Sequence, residues 1–273
     1  MSSESATTAP VCYRHPDRST LLSCSRCGKP ICSECSVDAA VGQRCVECVR
    51  SEGTQKIIPA RSRLTARALA PVTVGLITVT SIIFGLGFFG LNDWLFETLG
   101  QINIFIAEGQ WWRIFTAALL HASVTHILFN MWALWVLGPQ VERDFGALPF
   151  LALYIASAGV GGAVFYHLAG PFASAVGASG AIFGLFGLWL NQGLRRRNTV
   201  QGRAILSQMG FLLLINLAIP FLIPGVGWQA HLGGFVAGFL ISEAWSRIRG
   251  PQTNLYRTLV GVGVAVLAAI SVL

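Results

Sequence analysis

No aspartate or glutamate occurs between Asp144 and Glu243. A soluble fold, in which about a quarter of residues are charged, cannot clothe so long a stretch without them. The stretch therefore lies mostly in lipid. Composition agrees: 53% of the 273 residues are hydrophobic and 11% charged. The formal charge of +7 does not argue for nucleic acid, because the basic residues gather beside apolar runs instead of lining one soluble face. No nucleic-acid partner is expected.

Apolar runs near the roughly 20 residues that cross a bilayer occupy 68–90, 121–141, 148–168, 173–191, 204–222, 228–246 and 256–273. Lipid offers no partner to an unpaired backbone amide, so each run predicts a helix, and recurrent Gly and Ala suit close helix packing. The expected fold is an all-α membrane protein of seven spans. Residues 1–60 hold no apolar core of signal-peptide length, so the first span is expected to direct insertion. With the basic linker (Arg50, Lys56, Arg61, Arg63, Arg67) in the cytoplasm, alternation carries Arg143, Arg195–Arg197 with Arg203, and Arg247, Arg249 and Arg257 to the same side, as the positive-inside rule asks. The opposite side receives 91–112, with Asp93, Glu97 and Glu108 but no Lys or Arg. The expectation is a multi-pass protein of a bacterial cell membrane, amino terminus cytoplasmic and carboxy terminus outside. Three parts are expected: a cysteine-rich domain over 1–50, a basic linker over 51–67 and a membrane domain over 68–273.

All seven cysteines lie between Cys12 and Cys48, a segment expected in a reducing compartment where structural disulfides are rare. They form four knuckles: Cys12 with His15, Cys24 with Cys27, Cys32 with Cys35, and Cys45 with Cys48. Two-residue spacing lets one tight turn aim both ligands at a tetrahedral zinc, so four pairs make two closed sites, His15 supplying the eighth ligand. Free or disulfide-bonded cysteines are the bland alternative. The segment resembles a B-box or RING-like zinc domain, which implies that the first and third pairs share one ion and the second and fourth the other. The last pair departs from the B-box pattern in lacking His, and sequential pairing stays open. With every ligand protein-derived, the two zinc ions are expected to be structural, with none needed for catalysis. The module is expected to dock a cytoplasmic protein partner or to regulate.

Polar side chains are costly in a membrane span and call for a reason. Ser179 lies near one end of the fourth run, His231 near one end of the sixth, and His121, His126 and Asn130 near one end of the second. Alternation brings all five to the same depth. Singly they have ordinary explanations, since Gly177-Ala178-Ser179-Gly180 and the Gly234/Gly238 spacing both suit helix packing. His167 reads as a hydrogen-bonded core histidine or one that reaches the interface.

Together with Trp112-Arg113, the motifs His121-x4-His126-x3-Asn130, Gly177-Ala178-Ser179-Gly180 and Ala230-His231-x2-Gly234-x3-Gly238 resemble the rhomboid intramembrane proteases over about residues 68–246. The resemblance implies a six-helix bundle, here with one further helix, that cuts transmembrane helices of other membrane proteins within the bilayer. It implies Ser179 as nucleophile, His231 as base, and His126, Asn130 and the Ser179 amide as an oxyanion hole. It also suggests small residues and helix-weakening Gly or Pro near the cut. His121 is expected to support the site or hold water. The chemistry stands without the name, because a serine hydroxyl needs a neighbouring base, and the absence of any acidic residue in the converging spans predicts a dyad. Phe183 stands where many members carry Tyr; stacking on His231 survives the change, whereas a hydrogen bond from that ring does not. Alternatives are a non-catalytic rhomboid-like adaptor or chaperone, which retention of both Ser179 and His231 argues against. A proton-relay transporter is the more distant one.

Overall fold

The computed structural model describes residues 9–39, 41–51, 70–222 and 226–273, side chains of 217–222 excepted. The linker from residue 52 onward and most of the 223–227 connection lie outside the described residues. The chain divides into two compact units, Met1–Ala66 and Arg67–Leu273.

Among the described residues, the first unit has almost no aliphatic core. Its buried side chains are Cys12, Cys24, Cys32, Cys35 and Cys45 around a single Ile31, too little apolar area to hold so small a piece. Strand β1 (Ser36–Asp38) pairs antiparallel with β2 (Gln43–Cys45), and helix α1 (Val46–Ser51) follows. Gly28 takes φ +74°, and its amide donates to the Cys24 carbonyl at 2.9 Å. This closes the knuckle in a conformation that a β-carbon disfavours.

The second unit is helical. Helix α2 (Pro71–Leu86) begins with proline at its first turn, where no amide is needed. The next amides are satisfied from afar: the buried Glu142 carboxylate accepts from Val72 N (2.9 Å), Thr73 N (2.9 Å) and Thr73 Oγ1 (2.8 Å). A carboxylate at a helix N-terminus also meets the positive end of the dipole. The chain breaks at Phe89–Gly90, where Gly90 has φ +84°. The 91–112 connection is built of α3 (Asn92–Leu99), β3 (Gln101–Ile102) and α4 (Asn103–Ala107). Short α5 (Arg113–Thr116) then leads through a 97° bend into α6 (Val124–Phe145).

The remaining helices are α7 (Ala147–Leu168), α8 (Ser179–Arg195), α9 (Val200–Leu222), α10 (Trp228–Arg247) and α11 (Thr253–Ile270). A long helix therefore stands in each of the seven expected runs. The fourth begins six residues later than expected, because Ser174–Ala175 pairs as β4 with β3 and Gly177 turns with φ +132°.

Among the described residues, Pro71–Leu99, Ala147–Leu168 and Thr253–Ile270 are long and apolar enough to cross a membrane, and the bent pair Arg113–Leu119 and Val124–Phe145 qualifies as a unit. Helices α8 and α10 do not: α8 has 17 residues, and both spend positions on Gly, Asn, Gln, Ser or His. These polar positions are tolerated because many face protein. Leu185, Leu188, Ile241 and Trp245 are almost wholly buried in the core that α8 and α10 share with α7. Helix α7 is central, 72% of its apolar stretch being buried, against 11% for α2 and for α11.

Candidate active site and metal clusters

Helices α8 and α10 cross in backbone contact. A β-carbon on Gly234 would overlap the Gly180 carbonyl, and one on Gly238 the Gly184 carbonyl. Small residues at this spacing let backbones approach with no side chain between them. The glycines that pack these two helices thus lie along the crossing that also brings Ser179 beside His231. Far along the same two helices, Ser242 Oγ donates to Asn191 Oδ1 (3.0 Å), Gln192 Nε2 to Ser242 Oγ (3.1 Å) and Asn191 Nδ2 to Glu243 (3.1 Å). Glu243 also pairs with Arg195 and Arg247.

At the end that begins α8, the Ser179 hydroxyl lies 2.9 Å from His231 Nε2. The Phe183 ring, one turn after Ser179, stacks on the His231 imidazole with centroids 4.2 Å apart and planes within 8°. Ser179 opens its helix, so its amide belongs to the first turn, where backbone donors have no intrahelical acceptor. The preceding turn is fixed by the Gly177 amide on the Ala117 carbonyl, 2.9 Å. A β-carbon on Gly177 would lie 2.7 Å from His126 Cε1, so glycine there makes room for the His126 ring beside the serine turn.

The second-run residues arrive from α6. Ser123 caps that helix by accepting from the His126 amide at 3.2 Å. Buried His121 stacks edgewise on His126 with centroids 4.9 Å apart, and its Nε2 accepts a long bond from the Ala178 amide at 3.5 Å. Buried Asn130 donates one N–H to the His126 carbonyl, 2.9 Å, and its second N–H is a further donor. Ser179, His231, His126 and His121 thus surround one turn, with Asn130 one helical turn from His126. His167 lies apart, its Nε2 2.9 Å from the Ser271 carbonyl.

Arg113 of the Trp112-Arg113 motif and two residues that the sequence did not single out, Gln101 and Asn103, tie this end together. The Arg113 guanidinium donates to the carbonyls of Gly100 (2.6 Å) and Glu97 and to Gln110 Oε1 (2.7 Å). It neutralises the carbonyl end of α3 with a cation, as the helix dipole favours. Gln101 Nε2 reaches the Gly162 carbonyl (2.8 Å) and Asn103 Nδ2 the Gly170 carbonyl (3.0 Å). Only Arg113 stood in a motif; no local signal marks the other two.

In the first unit, Cys12, His15, Cys32 and Cys35 form one cluster and Cys24, Cys27, Cys45 and Cys48 the other, the ligand atoms of each lying within 4.8 Å of one another. The cross-braced arrangement is thereby found and the sequential one is not. All seven cysteines are free thiols. Tetrahedral ligands at zinc–sulfur and zinc–nitrogen distances of about 2.3 and 2.0 Å stand roughly 3.5–3.8 Å apart. Here Cys27 and Cys45 Sγ are 3.8 Å apart, and His15 Nδ1 is 3.3, 3.4 and 3.8 Å from Cys32, Cys35 and Cys12. Backbone amides of Cys27 and Cys45 pull the Cys24 thiol down to about 6, while bonding to Cys45 and burial push Cys48 up to about 12. Four crowded sulfurs cannot all ionise without a cation among them. Both clusters fit a metal ion.

The rhomboid domain family model matches residues 108–247, from the end of α4 to the end of α10. The chain is 39% identical over 142 residues to rhomboid protease GluP of Bacillus subtilis, covering 52% of this chain and 27% of that protein. It is 37% identical over 150 residues to YdcA of the same organism, covering 54% and 73%. To RHOMBOID-like protein 1 of Arabidopsis thaliana it is 37% identical over 155 residues, covering 56% and 39%. The chain thus spans about a quarter of GluP and two fifths of the plant protein. The matched stretch carries all five expected site residues and excludes the cysteine clusters, α2 and α11. It is on this stretch, with its apolar helices, that the protein is a membrane protein and a member of the rhomboid family.

Proposed function

We propose that the protein is an intramembrane serine endopeptidase that cuts transmembrane helices of other membrane proteins by a Ser179–His231 dyad. The observation that carries this reading is the 2.9 Å contact between Ser179 Oγ and His231 Nε2, made across two helices in backbone contact. His231 Nε2 takes the hydroxyl proton as Ser179 Oγ bonds to the scissile carbonyl carbon. It then delivers that proton to the amine nitrogen as the carbon–nitrogen bond breaks, and water resolves the ester by the reverse path. Negative charge on the carbonyl oxygen meets the Ser179 amide, the His126 ring and the second N–H of Asn130. Phe183 stacking holds the imidazole plane in place of a carboxylate partner. The nearest acid along α10, Glu243, is three turns away and engaged with Arg195 and Arg247.

Substrates are helices weakened by Gly or Pro near the cut, because a helical carbonyl is hydrogen-bonded and must be freed before Ser179 reaches it. The first unit takes two structural zinc ions and lies on the cytoplasmic side, as the distribution of Arg along the chain supports. The dyad then sits toward the outer face. A fluorophosphonate probe tests the activity directly: it should label the wild-type protein and not Ser179→Ala. Absence of labelling in a correctly inserted wild type would favour an adaptor.

A further inference from the structure

Helix α11 lies outside the matched rhomboid stretch, yet it is fastened at both ends. Near its start, Arg257 lies over the Phe145 ring (5.1 Å) and its carbonyl accepts from Trp245 Nε1 at 3.0 Å. At mid-length a β-carbon on Gly261 would lie 2.8 Å from Ala152 Cβ, so α11 is seated on α7. At its end the Ser271 carbonyl lies 2.9 Å from His167 Nε2. There Ala268 and Val272 join Ile106, Ile114 and Ala163 in a separate buried cluster, with Phe115 packed against it.

That cluster includes Ile106 and Ile114 of the same segment whose Ala117 carbonyl accepts from the serine turn. Helix α5 sits directly on α7, Ile114 against Gly162 and Phe115 against Gly159. The chain then runs through Ala117, whose carbonyl holds the Gly177 amide two residues before Ser179. Ile114 of α5 thus shares a buried cluster with Ala268 and Val272, and the residue after α5 anchors the turn that presents the nucleophile. We infer that α11 is a strut: Val272 and Ala268 wedge the Asn103–Leu119 segment against α7 and so hold the Gly177–Ser179 turn in register, making Val272 a positioning residue for a reaction it does not touch.

This inference rests on the proteolytic reading, and the test separates the two. In the full chain, Val272→Asp places a charge in the cluster, His167→Phe removes the tie to Ser271, and Val272→Ile is the conservative control. For each, amide hydrogen exchange over 103–119 and 175–182 is followed beside cleavage of a transmembrane test substrate. Val272→Asp should quicken exchange in both segments and lower kcat roughly 10-fold with KM held, since small misplacements of a reacting group act on turnover. His167→Phe should do the same more weakly, Val272→Ile should behave as wild type, and exchange in α8 beyond Phe183 should not change. Unchanged exchange at 175–182 in Val272→Asp, or acceleration spread evenly over the bundle, overturns the strut. A wild type that neither cleaves nor labels, with the two segments still loosening together, sinks the protease reading and leaves the strut standing.

Discussion

At the scale of single residues the dyad makes the sharpest demand. Ser179→Ala and His231→Ala should each abolish cleavage while the protein stays inserted, and the double change should add little, because residues that act as a unit are non-additive. Substantial turnover in Ser179→Ala would remove the mechanism. His126→Ala and Asn130→Ala should each slow kcat by roughly 10- to 1000-fold, the range for one lost oxyanion donor, with a smaller effect on KM. A raised KM at constant kcat would make them ground-state binders. Glu142→Ala strips the acceptor from the buried amide of Thr73 and the half-buried amide of Val72 and should cost about 1–3 kcal/mol, the penalty for leaving a buried donor unpaired. Thermal unfolding of the membrane unit reads this, and a stability unchanged from wild type would mean water reaches those amides.

At the scale of elements, the contact between α8 and α10 leaves no room for a methyl group. Gly238→Ala puts a β-carbon on the Gly184 backbone. It should part the helices and cost turnover about 100-fold, the order expected for displacing a reacting group by an ångström. Gly263→Ala, with nothing within 4 Å of the added carbon, should leave turnover as it is. Equal effects from the two would show that the crossing does not set the dyad distance. The same contrast explains what could be read in advance. Apolar period and motif order announce the seven helices and the serine, histidine and asparagine residues, because lipid imposes a long uniform signal and a costly polar residue stands out against it. Glu142 on Val72 is a pairing 70 residues apart, and Gln101 and Asn103 reach carbonyls more than 60 residues on; nothing local records such partners. The late start of α8 has a physical cause of the same kind, the β3–β4 pairing and the positive φ of Gly177, to which a hydropathy run is blind. Identical two-residue knuckles likewise say how many ligands there are and not which share an ion.

At the scale of the whole molecule the two units answer to different forces. The first, with Ile31 as the one fully buried aliphatic side chain among its described residues, is proposed to depend on metal for cohesion, so chelation or Cys24→Ser with Cys27→Ser should unfold residues 9–51. The second buries a continuous apolar core of its own and should keep its helices and its intrinsic cleavage rate. Zinc content, circular dichroism and cleavage measured together on the full chain decide this. Cleavage falling in step with zinc, with the core still inserted, would mean that the units are coupled.

The pair of helices that carries Ser179 and His231 is joined by glycine contacts at one end and by the Asn191, Gln192, Ser242 and Glu243 bonds at the other. Such a pair has little freedom left to lose. On the proposed mechanism, the ordering entropy of the two reacting groups is spent when the chain folds and does not recur at each turnover. A substrate helix entering from lipid must therefore be the partner that yields. The expected signature is selectivity governed by how readily a substrate unwinds, more than by how tightly its side chains are held.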